Sequence, residues 1–247
     1  MQRKPYLKEV YHKWHTQYLD REFEMLVFGH AGYPVILFPT SMGRFYQNRD
    51  FKLIDSAAWY VDNGLIRIYC PDSVDHDSWY NNSIHPADRV KTHNGYENVI
   101  VHEVVELARR ESGQSRVAAA GCSFGGYHAV NLAFRHPDLV GYAFSMGGSF
   151  DIKRFLDGYY DDNCYFNNPV DYMPNLRDPW YLDHIRQMGI ALGTGEWDFC
   201  KDENIRLSHI LGSKDIPHWL DVRGGADHDW PVWRDMFPLY LSRIKQE

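Results

Sequence analysis

Short apolar segments alternate with helix-like segments from residue 34 to the end of this 247-residue chain, and this order restricts the fold most. The apolar segments are short and bounded by Gly or Pro, which is typical of buried strands. Strands are predicted at residues 34–38, 65–70, 116–120, 139–146, 188–192 and 218–222. Helices are predicted at residues 50–61, 86–110, 127–135, 205–211 and 232–244. The alternation predicts an α/β fold with a mostly parallel central sheet and helices on both faces.

Two further strands precede this pattern, at residues 7–16 and 21–28. Only a few residues separate them, so they are predicted to form an antiparallel hairpin at one edge of the sheet. The chain length suits one domain over residues 1–247. Residues 151–180 lie between two late strands and are polar, irregular and rich in aromatic side chains. We expect this segment to be an insertion that forms a lid or a pocket wall.

Charge and hydropathy exclude several classes of protein. The formal net charge is −7, the isoelectric point is about 6.0, and no run of Lys or Arg stands out, so neither nucleic acid nor an anionic membrane is an expected partner. No apolar stretch approaches the roughly 20 residues of a membrane span. The N-terminal residues carry positive charge but no apolar core of a secretory signal.

The four cysteines, Cys70, Cys122, Cys164 and Cys200, are scattered and include no Cys-x-x-Cys pair. Without an export signal, free thiols are expected rather than disulfides. These observations together predict a cytoplasmic protein.

Residues 121–126 read GCSFGG, a Gly-x-Ser-x-Gly motif between a strand of small residues and a helix. In this setting a sharp turn holds Ser123 above the carboxyl edge of the sheet, and Gly121 and Gly125 remove side chains that would clash. The motif therefore predicts Ser123 as a nucleophile. The alternative is a Gly-rich helix start with Ser123 as N-cap. Cys122 is a rival nucleophile, but it is not at the apex and should point away from the cleft.

A serine hydroxyl needs a base, and the base needs an orienting carboxylate. In this fold the acid follows a late strand. The strand at residues 188–192 runs into Gly-Thr-Gly-Glu-Trp-Asp, which indicates Asp198 as the acid, with Asp202 and Glu196 as alternatives. These acids could instead cap the following helix.

The base is expected between the last strand and the last helix. Of the 13 histidines, His228 lies there, in the sequence GGADHDW, and is therefore the predicted base. The other histidines fall outside that window. Among them, His218 is predicted to lie within a strand.

The developing oxyanion needs two fixed hydrogen-bond donors. One is expected to be the backbone N–H of Phe124, which follows the nucleophile. The other should come from the loop after the strand at residues 34–38. Ser41 is favoured, Thr40 and Met42 are alternatives, and Pro39 has no N–H to donate.

Three stretches carry a resemblance to a known family: GCSFGGYHAVNLAFRHPDLV, GTGEWDFCKDENIRLSHIL and GGADHDWPVWRDMFPLYL. They resemble the esterase branch of the α/β-hydrolase superfamily, which includes esterase D (S-formylglutathione hydrolase), feruloyl esterase domains and mycolyltransferases. The resemblance runs from about residue 20 to the C-terminus and implies Ser123, Asp198 and His228 as a triad, with no cofactor. The loop at residues 39–43 lacks the His-Gly-Gly or Asp-Gly of many relatives.

Aromatic residues are 15% of the chain and cluster in two segments, residues 72–80 and 151–180. Such side chains can bind an acyl group or an aromatic alcohol, and the expected substrate-binding residues are Trp79, Tyr159, Trp180 and Trp230. The alternative is that the aromatics of residues 151–180 bury one another at the surface.

The acids and the histidine within residues 72–77 have no metal-ligand spacing, and Asp161-Asp162-Asn163 lacks the rest of a calcium loop. No metal site is therefore predicted.

Together these residues predict a serine hydrolase that cleaves a small-molecule carboxylic ester or thioester through an acyl-enzyme. Two alternatives stay open. One is an acyltransferase that passes the acyl group to an alcohol, and the other is a catalytically silent hydrolase fold used as a binding module. Whether the chain forms a homo-oligomer is also left open.

Overall fold

The computed structural model describes residues 8–245. Its eight strands form one sheet with the order β1-β2-β4-β3-β5-β6-β7-β8. The strands are β1 (Glu9–Thr16), β2 (Arg21–Phe28), β3 (Tyr33–Phe38), β4 (Ile66–Pro71), β5 (Val117–Cys122), β6 (Val140–Met146), β7 (Gly189–Gly195) and β8 (Trp219–Arg223). The predicted start of β1 at Leu7 lies outside the described residues.

β1 and β2 pair antiparallel at one edge, and β2 pairs antiparallel with β4. All strands from β4 to β8 in the sheet order pair in parallel. The predicted α/β fold with an antiparallel edge hairpin is thus confirmed. Exposed and half-buried side chains alternate along the edge strand β1, whereas every residue of the central strand β5 is buried.

Helices cover both faces of the sheet. They are α1 (Gln47–Asp50), α2 (Leu53–Ser56), α3 (Ala58–Asp62), α4 (Pro86–Val99), α5 (Glu106–Ser112), α6 (Phe124–Arg135), α7 (Asp162–Phe166), α8 (Pro169–Asn175), α9 (Pro179–Arg186), α10 (Lys201–Gly212) and α11 (Trp230–Leu241). Within residues 8–245 no helix combines the length and apolar character needed to span a membrane.

Two predicted helices are less regular than expected. Residues 50–61 form parts of three short helices. Lys52 adopts a left-handed backbone with φ of 61°, which separates α1 from α2, and a second break at Ala57 separates α2 from α3. Residues 86–110 form one helical rod in which a π-helical stretch, Ile100–Val105, joins α4 to α5. Apolar spacing predicted the type of these elements but not their irregularities.

Some predicted boundaries were also wrong. α6 begins at Phe124, three residues earlier than predicted, and β7 ends at Gly195, three residues later than predicted. Glycines weaken the sequence signal of a strand, but β7 needs one at Gly193, where a side chain would overlap the Tyr240 hydroxyl. His218 lies just before β8 rather than in it, and its Nε2 is 2.7 Å from Ser208 Oγ.

The core has a layer on each face of the sheet and a third, smaller cluster near the carboxyl edge. That cluster joins the start of α6 to residues 151–180 through Phe124, Tyr127 and Phe155. Residues 151–180 contain a 3₁₀ turn (Ile152–Phe155) together with α7 and α8. Although the sequence is polar, Ile152, Phe155, Cys164, Val170 and Met173 of this segment are buried.

Candidate active site

Ser123 lies at the turn between β5 and α6 with a strained backbone, φ 55° and ψ −124°. Its N–H donates to Met146 O at 2.8 Å, which fixes the turn against β6. A side chain at Gly121 would overlap the backbone of Gly125, and one at Gly125 would overlap Pro39 O. The two glycines are therefore required for the close packing that holds Ser123 in place.

Three side chains that are distant in sequence meet at this turn. His228 Nε2 lies 2.9 Å from Ser123 Oγ, and His228 Nδ1 lies 2.8 Å from Asp198 Oδ1. Asp198 is buried, whereas Ser123 and His228 are half-buried and reach the surface. The hydroxyl, the imidazole and the carboxylate thus form one continuous hydrogen-bonded chain at the carboxyl edge of the sheet.

The loops that carry Asp198 and His228 are clasped together by backbone contacts. The Trp197 N–H donates to Ala226 O at 3.0 Å, and the Gly225 N–H donates to Glu196 Oε2 at 2.8 Å. Because β7 and β8 are parallel neighbours, both loops leave the same edge of the sheet. This clasp sets the short distance between the carboxylate and the imidazole.

The environment of Asp198 favours its ionised form. Burial acts to raise the pKa of its carboxyl, but hydrogen bonds from His228 and from the Cys200 N–H outweigh burial, so the pKa lies below its ordinary value. Its second oxygen, Oδ2, has no donor among the described residues. The carboxylate is therefore held by Oδ1, which faces His228.

The alternative residues lie elsewhere. Asp202 is exposed in the first turn of α10, and Glu196 is exposed and bonded to Gly225. Cys122 is fully buried, and burial raises the pKa of its thiol. Of the sequence-predicted acids, the structure brings only Asp198 to His228.

The two predicted oxyanion donors are the backbone N–H groups of Phe124 and Ser41. The Phe124 N–H is in the first turn of α6, where N–H groups lack intrahelical acceptors. In the loop after β3, Thr40 N donates to Gln47 Oε1 at 2.8 Å and Met42 N donates to Asp75 Oδ2 at 3.0 Å. The Ser41 N–H has no acceptor in the described part of the chain. Both alternatives to Ser41 are therefore already engaged.

This loop is attached to residues 72–75 by side chains. Ser73 Oγ donates to Gly43 O at 2.7 Å, and Asp72 accepts from Arg44 Nε at 2.8 Å. Asp75 is also hydrogen-bonded to α6, because His128 Nε2 lies 3.0 Å from Asp75 Oδ1. The position of Ser41 relative to Ser123 is thus fixed through Asp75.

A cavity of about 440 Å³ opens beside Ser123. Its lining residues combine aromatic rings with uncharged polar groups and one cation: Ser41, Tyr80, Asn82, Ser149, Arg154, Phe155, Phe199 and Cys200. The Phe199 ring lies 4.1 Å from the His228 ring, centroid to centroid, and is 76% exposed. The cavity can hold one part of a small-molecule ester next to the hydroxyl of Ser123.

The structure does not bring the four predicted aromatic residues into the lining of this cavity. Trp79 is fully buried behind Phe155, and Tyr159 packs on His85. Trp79 therefore supports the cavity wall from behind, and Tyr159 lies outside the cavity.

Trp180 is exposed on α9, where it packs on Tyr181 and His184. Trp230 stacks on Phe51, 4.6 Å between ring centroids, at the start of α11. The aromatic density of the sequence located the right region but not the residues, since composition does not say which ring faces solvent.

Several residues of the site were not predicted from the sequence. Tyr80 is adjacent to Trp79, and Phe155 and Arg154 lie in the segment expected to form a pocket wall, so the region was predicted but not the residues. Phe199 directly follows the acid and could have been found from that position. Asp75 and His128 carry no local signal, because their roles arise only from contacts distant in sequence.

Among residues 8–245 one group of three side chains has metal-ligating atoms within 4.8 Å of one another: Asp198, Cys200 and His228. Its Asp198 and His228 atoms already form the 2.8 Å hydrogen bond described above. The acids of residues 72–77 contact Arg44, Met42, His128 and Arg21 instead.

Solved structures with a similar fold include ferulic acid esterases and an S-formylglutathione hydrolase. A ferulic acid esterase shares 18% identity over 95% of each chain, with a TM-score of 0.76. An S-formylglutathione hydrolase from Staphylococcus aureus shares 15% identity over 96% of each chain, with a TM-score of 0.68. A ferulic acid esterase from Anaeromyces mucronatus shares 14% identity over 98% of this chain and 92% of its own, with a TM-score of 0.71.

No curated protein matches the chain by sequence. The family model described as "Putative esterase" matches residues 29–243, which is most of the chain and includes Ser123, Asp198 and His228. The chain belongs to this esterase family, and it is a carboxylic ester hydrolase.

Proposed function

We propose that the protein cleaves small-molecule carboxylic esters or thioesters through a covalent acyl-enzyme, with Ser123 as nucleophile. The observation that carries this proposal is the hydrogen-bonded chain from Asp198 through His228 to Ser123, with heavy-atom distances of 2.8 and 2.9 Å. These distances are within the range in which a base removes a proton from a nucleophile. The arrangement favours a hydrolase over a catalytically silent binding module.

In the first step, Ser123 Oγ attacks the acyl carbon and its proton passes to His228 Nε2. The carbonyl oxygen becomes an oxyanion, which accepts hydrogen bonds from the N–H groups of Phe124 and Ser41. His228 then gives its proton to the leaving alcohol or thiol, and the acyl group stays on Ser123. The α6 N-terminus also favours the negative charge at this position.

In the second step, water attacks the acyl-enzyme and its proton passes to His228 Nε2. Collapse of the second tetrahedral intermediate returns the proton to Ser123 and releases the carboxylic acid. Asp198 accepts a hydrogen bond from His228 Nδ1–H throughout, which keeps Nε2 free to accept a proton and stabilises the imidazolium.

Covalent labelling tests the proposal. A fluorophosphonate should modify Ser123, identified by peptide mass spectrometry, and Ser123→Ala should lose labelling and hydrolysis of p-nitrophenyl acetate. The Cys122→Ala variant is the control, because Cys122 is buried and should not affect labelling. Full activity of Ser123→Ala would reject the assignment. Product analysis with an added alcohol distinguishes hydrolysis from acyl transfer.

We also propose a cytoplasmic location, because all four cysteines are buried and unpaired, as is typical of a reducing compartment.

A further inference from the structure

Arg154 is the only charged side chain in the lining of the cavity beside Ser123, as far as the structure describes the chain. It lies in the 3₁₀ turn Ile152–Phe155, and its side chain is exposed. Its guanidinium carbon is 4.7 Å from the centroid of the Phe155 ring. This cation–π contact holds the guanidinium against an aromatic wall of the cavity.

The cations around Arg154 have carboxylate partners. Lys153 Nζ lies 2.7 Å from Asp171 Oδ2, and Arg206 Nη1 lies 3.1 Å from Asp151 Oδ2. Arg89 Nη2 lies 3.0 Å from Oδ2 of Asp157, which follows the turn. Arg154 has no ion pair with any residue of the described range 8–245. A positive charge therefore remains uncompensated at the cavity.

The nearby acid Glu203 does not supply the missing partner. Its carboxylate accepts hydrogen bonds from the N–H groups of Phe150 and Asp151, the latter at 2.9 Å, and from Ser149 Oγ at 3.2 Å. Glu203 is thus used to hold the strand-to-turn connection behind the cavity. Burial raises the pKa of the cavity residue Tyr80, and the charge of Arg154 opposes that rise, which agrees with a guanidinium that faces the cavity.

The rest of the cavity fits a substrate with one charged end. Asn82, Ser149 and Ser41 provide uncharged polar groups, and Phe155 and Phe199 provide apolar surface. The formal net charge of the chain is −7, so an anionic substrate meets a repulsive molecule except where a local cation compensates. A guanidinium binds a carboxylate through paired N–H donors.

We propose that the protein acts on esters that carry a carboxylate group, and that Arg154 binds this carboxylate in the cavity beside Ser123. The inference rests on the proposed function, since it names the class of substrate that the same site accepts. The carboxylate can lie on the acyl side or on the leaving-group side of the ester, and these two arrangements are distinguished by experiment.

The experiment compares matched pairs of charged and neutral esters. The p-nitrophenyl hemiester of glutaric acid and p-nitrophenyl valerate differ in a charge on the acyl side. 4-Acetoxybenzoate and 4-acetoxybenzamide differ in a charge on the leaving group. We expect the wild-type protein to prefer the charged member of one pair in kcat/KM, and that pair identifies the side on which Arg154 acts.

Substitution of Arg154 then tests the residue itself. Arg154→Gln should lower kcat/KM for the preferred charged ester about tenfold. This is at the lower end of the effect expected for loss of a hydrogen bond to a charged group, because Arg154 is exposed and water screens its charge. Arg154→Glu should lower it further, and Arg154→Lys should retain part of the preference. The neutral ester of the same pair should lose much less, so the ratio of kcat/KM for the charged ester to that for the neutral ester should fall in Arg154→Gln and Arg154→Glu.

The neighbouring residue provides the matched control. Lys153→Gln removes a cation from the same turn, but Lys153 is paired with Asp171 and does not line the cavity, so the charged ester should be unaffected. Equal loss in Lys153→Gln and Arg154→Gln would show only a general electrostatic effect and overturn the proposal. So would a wild-type protein that hydrolyses both members of both pairs equally.

The outcomes separate this inference from the proposed function. Hydrolysis of the neutral esters with Ser123 labelled, but without any preference for charge, rejects Arg154 as a carboxylate-binding residue and leaves the proposed function intact. Loss of hydrolysis for every ester, with no covalent labelling of Ser123, rejects the proposed function itself.

Discussion

Asp75 and His128 form a fully buried hydrogen-bonded pair, with 3.0 Å between Asp75 Oδ1 and His128 Nε2. His128 is on α6, five residues after Ser123, and the other oxygen of Asp75 accepts from the Met42 N–H at 3.0 Å. Met42 itself has a left-handed backbone with φ of 58°. One carboxylate therefore connects the loop of Ser41 to the helix that begins next to the nucleophile, and sets the distance between the two proposed oxyanion donors.

We expect Asp75→Ala to lower kcat about 10- to 100-fold while KM changes little, because a displaced donor weakens binding of the oxyanion, which exists only in the transition state. The affinity for an alkylboronic acid, which forms a tetrahedral adduct on Ser123, should fall by a similar factor. Asp75→Asn keeps an acceptor for Met42 and should recover part of the loss. Steady-state kinetics and boronate inhibition measure both effects.

Loss of stability alone would give a different result. Glu97 is another buried carboxylate, and it contacts Arg135 and His136 at the far end of α6. Glu97→Gln should destabilise the protein without changing kcat or boronate affinity. If Asp75→Ala matches Glu97→Gln in these kinetic measurements, Asp75 has no positioning role.

A second prediction concerns the acid. Asp198→Asn keeps the shape of the side chain but removes the charge that orients His228, so kcat for p-nitrophenyl acetate should fall by about 10⁴, the size of effect seen when a triad acid is lost. Asp202→Asn, which changes an exposed acid four residues later, should leave kcat unchanged. A normal rate for Asp198→Asn together with a slow Asp202→Asn would assign the acid to Asp202.

A third prediction concerns stability at acidic pH. His93 is buried, and burial lowers the pKa of its imidazole from 6.5 to about 3. Between these values the unfolded chain binds a proton that the folded protein does not, so the free energy of unfolding falls as the pH drops from 6.5 toward 3. Between pH 6.5 and pH 4.5 the free energy of unfolding should fall by about 2–3 kcal/mol because of His93, at about 1.4 kcal/mol per pH unit.

Urea unfolding at pH 6.5 and pH 4.5 measures the effect. His93→Phe should reduce the difference in the free energy of unfolding between the two pH values, whereas the exposed His76→Gln should not. Burial acts to raise the pKa of Glu97, but hydrogen bonds from His136 and Arg135 outweigh burial and lower the pKa to about 2. The contribution of Glu97 to the free energy of unfolding is therefore lost only below pH 4.5, outside the pH range of the urea measurements. An unchanged pH dependence in His93→Phe would contradict a neutral buried imidazole at this position.

The elements were predictable where the signal is local. Residues 34–38 lie in β3 (Tyr33–Phe38), because a short apolar run bounded by turn residues is typical of a buried strand, and the Gly-x-Ser-x-Gly turn follows from the steric needs of its glycines. The break at Lys52 and the π-helical stretch at Ile100–Val105 were not predictable, because nothing in their residue types requires either irregularity.

The sequence by itself determined the order of strands and helices, the turn that carries Ser123 and the loop that carries His228, since each depends on residues next to one another in the chain. Only the tertiary structure decided that Asp198, not Glu196 or Asp202, lies against His228, because the clasp of two loops sets that contact. It also decided that the Ser41 N–H has no acceptor within residues 8–245, while Gln47 and Asp75 accept from the N–H groups of Thr40 and Met42, because hydrogen-bond partners distant in sequence are chosen by packing.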